Sequence, residues 1–165
     1  MAKIFSYSFS LTPPAPAEQM HEYSYSEFLL DLPSHWKQVP NATDNTLNFS
    51  SETHSAALII SADFYEIPDS KAQSIAEKCL DSRLEALEEL SPGQVEVLHR
   101  TIKPHSGGSG LELSFAAEAH GHVHIYLGYV TSRKILNVTL IAPPSKQSAA
   151  ALFNKTVANF RPKLP

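Results

Sequence analysis

The chain is short of the residues on which several function classes depend. A single cysteine, Cys79, stands among 165 residues, which excludes an intramolecular disulfide and a metal knot built from several cysteines. It sits inside a helical pattern, where a small buried hydrophobe is the expected role. No stretch approaches the eighteen or so apolar residues of a membrane span, so stable membrane insertion is not expected. Cations do not cluster: 13 Lys and Arg stand against 17 Asp and Glu, and the net charge of −4 argues against nucleic acid as a partner. Chemical motifs are equally scarce. CxxC, HExxH, the GxSxG elbow and the GxxxxGK[ST] loop are all missing. The run Ser106-Gly107-Gly108-Ser109-Gly110 precedes a strand, so no helix N-terminus faces a phosphate there, and a flexible connection is expected. No cofactor and no catalytic residue are expected, and the chain reads as a non-enzyme.

The N-terminal MAKIFSYSFSLTPPAPAE breaks up its apolar residues with Ser and Pro and lacks a continuous apolar signal-peptide core, so a cytoplasmic location is expected. Within it, Ile4 to Leu11 alternate weakly and Pro13-Pro14-Ala15-Pro16-Ala17 reads as a linker. Residues 1–20 are expected to be an arm, mobile or an edge strand, and residues 21–165 a single domain.

What is there is patterned. Hydrophobic residues make up 42% and charged residues 18%, ordinary for a globular core. Strand signals fall at Tyr23 to Leu32, ended by Pro33 and a Ser34-His35-Trp36 turn, at Asn45 to Ser50, and at Ala56 to Phe64. A long helix follows Pro68, with Ser70 and Gln73 spaced as a capping box and the stripe Ala72, Ala76, Leu80, Leu84, Leu87. Ser91-Pro92-Gly93 ends it. Val95 to Ile102 reads as a strand, and the meander from Gly110 to Ile141 supplies three more. A second helix carries Ala149, Leu152, Phe153, Val157 and Phe160 at helical spacing. The fold class expected is α+β: an antiparallel sheet of about six or seven strands with a long central helix and a C-terminal helix.

The meander is the core element. A three-residue loop Ala119-His120-Gly121, with Gly121 left-handed, would set Ala117 opposite Val123, Phe115 opposite Ile125, Leu113 opposite Leu127 and Leu111 opposite Tyr129. In that register the other face carries Glu112, Ser114, Glu118, His122, His124, Tyr126 and Gly128. These seven are the expected partner-binding face if both helices pack on the far side; a helix on each side would make it an internal interface. An alternative centres on Glu118, His122 and His124, two imidazoles and a carboxylate that could bind a ligand or transition metal. Solvated polar residues beside a turn are the competing reading, and no metal site is expected.

The element order, with Leu32, Pro33 and Trp36 in FLLDLPSHW, resembles the PsbP/Mog-like superfamily and, within it, the DcrB-related bacterial proteins. The resemblance runs from about Glu22 to Phe160 and rests on pattern more than on a literal motif. It implies an α/β/α sandwich without a shared catalytic motif. Its Eag-type branch implies a cytoplasmic homodimeric chaperone or adaptor for another protein, such as a type VI secretion effector, held against the sheet.

Overall fold

Alternating apolar residues and turn-forming interruptions build mostly antiparallel structure, because tight turns allow only neighbouring strands to pair. The computed structural model describes residues 19–40, 45–107 and 110–163; the expected Ile4 to Leu11 strand and its Pro-rich linker lie outside them. The elements in chain order are β1 Met20–Ser24, β2 Phe28–Pro33, β3 Trp36–Val39, β4 Thr46–Ser51, β5 Ala56–Phe64 and α1 Asp69–Leu90. They continue as β6 Glu96–Pro104, β7 Leu111–Ala119, β8 His122–Val130, β9 Lys134–Ala142, α2 Lys146–Val157 and β10 Phe160–Pro162. A seven-stranded sheet runs β3-β4-β5-β9-β8-β7-β6, and a three-stranded sheet runs β1-β2-β10, with every pairing antiparallel. The expected fold class and strand number are met by the large sheet. The small sheet is additional: the Tyr23 to Leu32 signal is two strands hairpinned at Ser24–Phe28, and Phe160 belongs to β10 rather than to the second helix.

Helix α1 starts two residues earlier than the capping-box pattern predicts. Pro68 is the N-cap in extended conformation with no side-chain cap bond, and the Gln73 amide instead donates to Glu77 at 3.2 Å. The Pro68 carbonyl accepts from the Lys71 N–H at 2.9 Å, which closes the first turn without a capping hydroxyl. At the other end Ser91 caps through its N–H to the Leu87 carbonyl, and Gly93 follows at φ 71°.

The meander hairpin departs from the expected register by one residue. Its loop has two residues, His120 at φ 54° and Gly121 at φ 71°, and Ala119 pairs with His122. Positive φ at both positions makes the turn whose twist matches the strands. Phe115 is therefore opposite Tyr126, not Ile125, and Leu113 is opposite Gly128, not Leu127. Each face of the hairpin mixes what sequence patterning would have separated. This is tolerable because β8 is covered on both faces, by α1 and by α2, so neither of its faces needs to be uniformly polar.

Helix α1 lies on one face, over β6, β7 and β8, with Ala76, Leu80 and Leu87 buried against Leu113, Phe115, Ala117 and Val130. Helix α2 and the small sheet lie on the other, joining Phe153, Phe28, Leu30 and Phe160 to Leu58, Leu127, Val138 and Leu140. Trp36 is 2% exposed in this second core, but opens β3 instead of closing a turn. Lys134, at the start of β9, ties the layers together: its ammonium donates to Glu27 and to the Lys163 carbonyl.

Candidate functional site

The one-residue shift decides where the seven expected site residues go. Along β7 the parity is unchanged, so Glu112, Ser114 and Glu118 stay together, on the α2 side of the sheet. Across the hairpin the parity inverts. His122, His124, Tyr126 and Gly128 therefore face the α1 side, and the expected seven-residue surface does not exist as one face.

Of the four on the α1 side, two are structural. Tyr126 is fully buried, donates its hydroxyl to Asn137 at 2.6 Å and holds the Arg83 guanidinium 4.4 Å above its ring. Burial pushes its hydroxyl pKa up to about 12, against the opposing pull of Arg83. Its ring lies back across Gly128, where an added Cβ would come within 2.1 Å of the hydroxyl oxygen. Gly128 is therefore packing space, not an open surface. His122 is exposed and hydrogen-bonds the His120 carbonyl through Nδ1 at 2.9 Å. His120 in turn contacts the Ser91 hydroxyl at the end of α1 at 3.3 Å. The buried Nε2 of His124 has no hydrogen-bond partner, and burial lowers the His124 pKa despite an opposing backbone contact at Ala119.

Glu118, pointing to the opposite side, sits 3.7 Å from Lys146 and opposite Val123. The Glu118, His122 and His124 grouping is thus broken by the sheet itself. Among the described residues, no three His, Cys, Asp or Glu side chains gather in a way that could hold a metal ion.

What the α2 side does contain is a groove of about 380 Å³ between α2 and the β6–β7 ribbon. Its floor is Ala116, Ile125 and Leu127, and its α2 wall is Ala150, Phe153, Asn154 and Val157. Its far rim is a polar ladder. The Ser114 hydroxyl lies 2.8 Å from both His99 Nε2 and Thr101 Oγ1, Lys103 pairs with Glu112 at 3.4 Å, and Lys146 reaches across to Glu96 at 3.5 Å. The arrangement is an apolar trough whose polar edges are hydrogen-bonded or ion-paired to one another. Sequence reasoning missed His99 and Thr101. Their signal was alternation on the strand before the meander, readable only once β6 is registered on β7 through the irregularity between Val97 and His99.

No family model matches the chain, and no curated protein matches it either. Among solved structures, the chain is similar to cyanobacterial PsbP (CyanoP) from Synechocystis sp. PCC 6803, at TM-score 0.63 and 14% identity over 90% of this chain and 95% of that one. It also aligns with LpqN, involved in cell envelope biogenesis of Mycobacterium tuberculosis, at TM-score 0.48 and 12% identity over 90% and 92% of the two chains. A Pseudomonas aeruginosa protein of unknown function aligns at TM-score 0.44 and 19% identity over 86% and 94%. The CyanoP likeness, spanning nearly both chains, carries the conclusion on architecture: this chain has a PsbP-like fold.

Proposed function

We propose that the protein is a non-enzymatic binding protein that holds an apolar segment of another protein in the groove between α2 and the β6–β7 ribbon. The observation that carries this is the pairing of an apolar floor, Ile125 and Leu127, with a rim whose Ser114, Glu112 and Glu118 are already engaged with neighbours. Such a rim can accept an apolar segment without stranding polar groups. The occupant lies on the sheet face and does not extend the sheet. Among the described residues strand β6 is an edge, and it is guarded by the Val97/His99 irregularity, Arg100, Lys103 and Pro104, the usual means of blunting strand addition.

The finer reading is a DcrB-related, Eag-type chaperone or adaptor, cytoplasmic and homodimeric, whose client is a secreted effector with apolar helical segments. The test is co-expression with the product of a neighbouring gene that carries such a segment. Ser114→Arg on the rim and Asn154→Arg on α2 are both expected to fold, since Ser114 is half-buried and Asn154 is exposed. Both are expected to abolish co-purification, while Glu77→Arg on the outer side of α1 leaves it intact. Folded groove variants that still recover the client refute the site. A monomeric mass in solution refutes the homodimer and leaves the groove standing.

A further inference from the structure

Between α1 and the β5–β9 pair lies an open cavity of about 390 Å³, at the small end of the range for small-molecule sites, roughly 300–1,000 Å³. Charge enters it from two elements: Asp63 from β5 and Arg83 from α1, with Lys78 exposed one turn before Arg83. Ile75 of α1, Ile135 of β9 and the ring of Tyr65 supply apolar lining. Tyr65 is 59% exposed, so an occupant would cover ring surface that now faces water.

A buried pair of polar residues positions both charges. The Tyr126 hydroxyl donates to Asn137 at 2.6 Å, and the two residues are 0% and 3% exposed. Arg83 lies 4.4 Å over the Tyr126 ring, while the Asn137 amide donates to Asp63 at 3.4 Å and to Ser61 at 3.2 Å. Neither contact exhausts its charged group. A phenol oxygen can accept from only a minority of the five N–H donors of a guanidinium, and one amide hydrogen fills one of about four acceptor positions on a carboxylate. Among the described residues, Arg83 and Asp63 are ion-paired neither to each other nor to another side chain.

We propose that this cavity binds a free α-amino acid with an apolar side chain, as its zwitterion. The carboxylate accepts from Arg83, whose planar fork matches it, and the ammonium donates to Asp63. The side chain lies against Ile75, Ile135 and Tyr65. A ligand with only one of the two charges would leave Asp63 or Arg83 desolvated without a partner, so the opposed pair selects the zwitterion over a simple acid or amine. The cavity is on the opposite face of the sheet from the α2 groove, and the two sites stand or fall separately.

Cys79 supplies the readout. It is the chain's only cysteine, it lines the cavity, and burial pushes its thiol pKa up, so its alkylation is slow enough to follow by mass spectrometry. L-Leucine is expected to slow modification by N-ethylmaleimide saturably, with a matching calorimetric titration. Its two one-charge analogues, 3-methylbutylamine and 4-methylpentanoate, are each expected to bind at least fivefold more weakly. Asp63→Asn keeps the shape and an acceptor for Asn137, so the fold is expected to survive. It is expected to weaken leucine at least fivefold and to leave 4-methylpentanoate no weaker than before. Arg83→Gln is expected to weaken both. No saturable leucine response by either method, an analogue that binds as well as leucine, or undiminished leucine affinity in Asp63→Asn would each overturn the proposal.

Discussion

Replacing Gly128 by alanine tests whether Tyr126 is locked as the structure shows. A glycine-to-alanine change in a strand ordinarily stabilises by about 0.4–1 kcal/mol, because alanine leaves the unfolded chain less freedom to lose. Gly128 has no positive φ that would reverse this through strain. The obstacle is a neighbour: the new Cβ would lie 2.1 Å from the Tyr126 hydroxyl oxygen and 2.6 Å from Cζ. Tyr126 is fully buried, so its ring cannot swing into solvent. It must overpack its surroundings, at about 1–3 kcal/mol, and release its 2.6 Å bond to Asn137, at about 1–3 kcal/mol for buried groups left unpaired. Together these outweigh the entropic gain, and Gly128→Ala is expected to lose about 2–4 kcal/mol. For a domain of this size that is roughly 6–12 °C in Tm. Urea unfolding followed by far-UV circular dichroism measures it. The same change is then made in a Tyr126→Leu background, where the obstructing ring atoms are gone. There Gly128→Ala is expected to be neutral or mildly stabilising, a coupling of about 2–3 kcal/mol. A neutral Gly128→Ala in the parent, or an equal loss in both backgrounds, would refute the packing account.

Three further outcomes follow from groups with buried charge or shifted protonation. Glu27→Ala leaves the Lys134 ammonium, 8% exposed, with only the Lys163 carbonyl; a loss of about 2–3 kcal/mol is expected in urea unfolding, and one below about 0.5 kcal/mol would mean the pair is ornamental. His124 has its pKa lowered from 6.5, mainly by burial, so the unfolded chain takes up a proton that the folded one refuses. Stability is therefore expected to fall as pH drops below about 6.5, and His124→Leu should flatten that decline in a pH series of melting points. Tyr126 titrates near 12 when folded against 10.0 otherwise, so its contribution is intact below pH 10 and lost as pH rises from 10 towards 12. Tyr126→Phe is expected to reduce the alkaline loss, and an unchanged alkaline slope would exclude Tyr126 as its source.

The periodicity of single elements was legible, and relations between elements were less so. Ala56 to Phe64, the long helix and the three meander strands are found where alternation and helical spacing put them. Within β7, Glu112, Ser114 and Glu118 share a face whatever the pairing, because parity along one strand is set by the backbone. Their partners across the hairpin depend on loop length. His120 tolerates the left-handed region as few residues do, which turned an expected three-residue loop into two and moved His122 and His124 to the far face. Segregating polar from apolar residues was the wrong criterion for strands packed on both sides. The small sheet was hidden for another reason. Strand β1 is mostly exposed, and Phe160 in β10 falls at a spacing that also continues the stripe of α2.

Sheet width explains why a groove exists at all. Seven strands at about 4.8 Å spacing span about 29 Å, whereas a helix with its side chains is about 10 Å across. No single helix can cover either face. On one side α1 takes β6, β7 and β8. On the other, α2 packs on β8 and β9 while the small sheet joins the core over the remaining strands, so that none of the described elements covers the β6–β7 ribbon on that face. The two coverings are thus offset, and β6–β7 is held chiefly from the α1 side. The uncovered strip is about two strands wide and nine residues long, roughly 10 Å by 30 Å. One helix of about twenty residues has those dimensions. If the groove holds a client segment, a single helix fills it and a helical pair does not. Crosslinks from Ser114 and Asn154 should then map to one continuous stretch of the client, and two separated stretches would contradict the width argument.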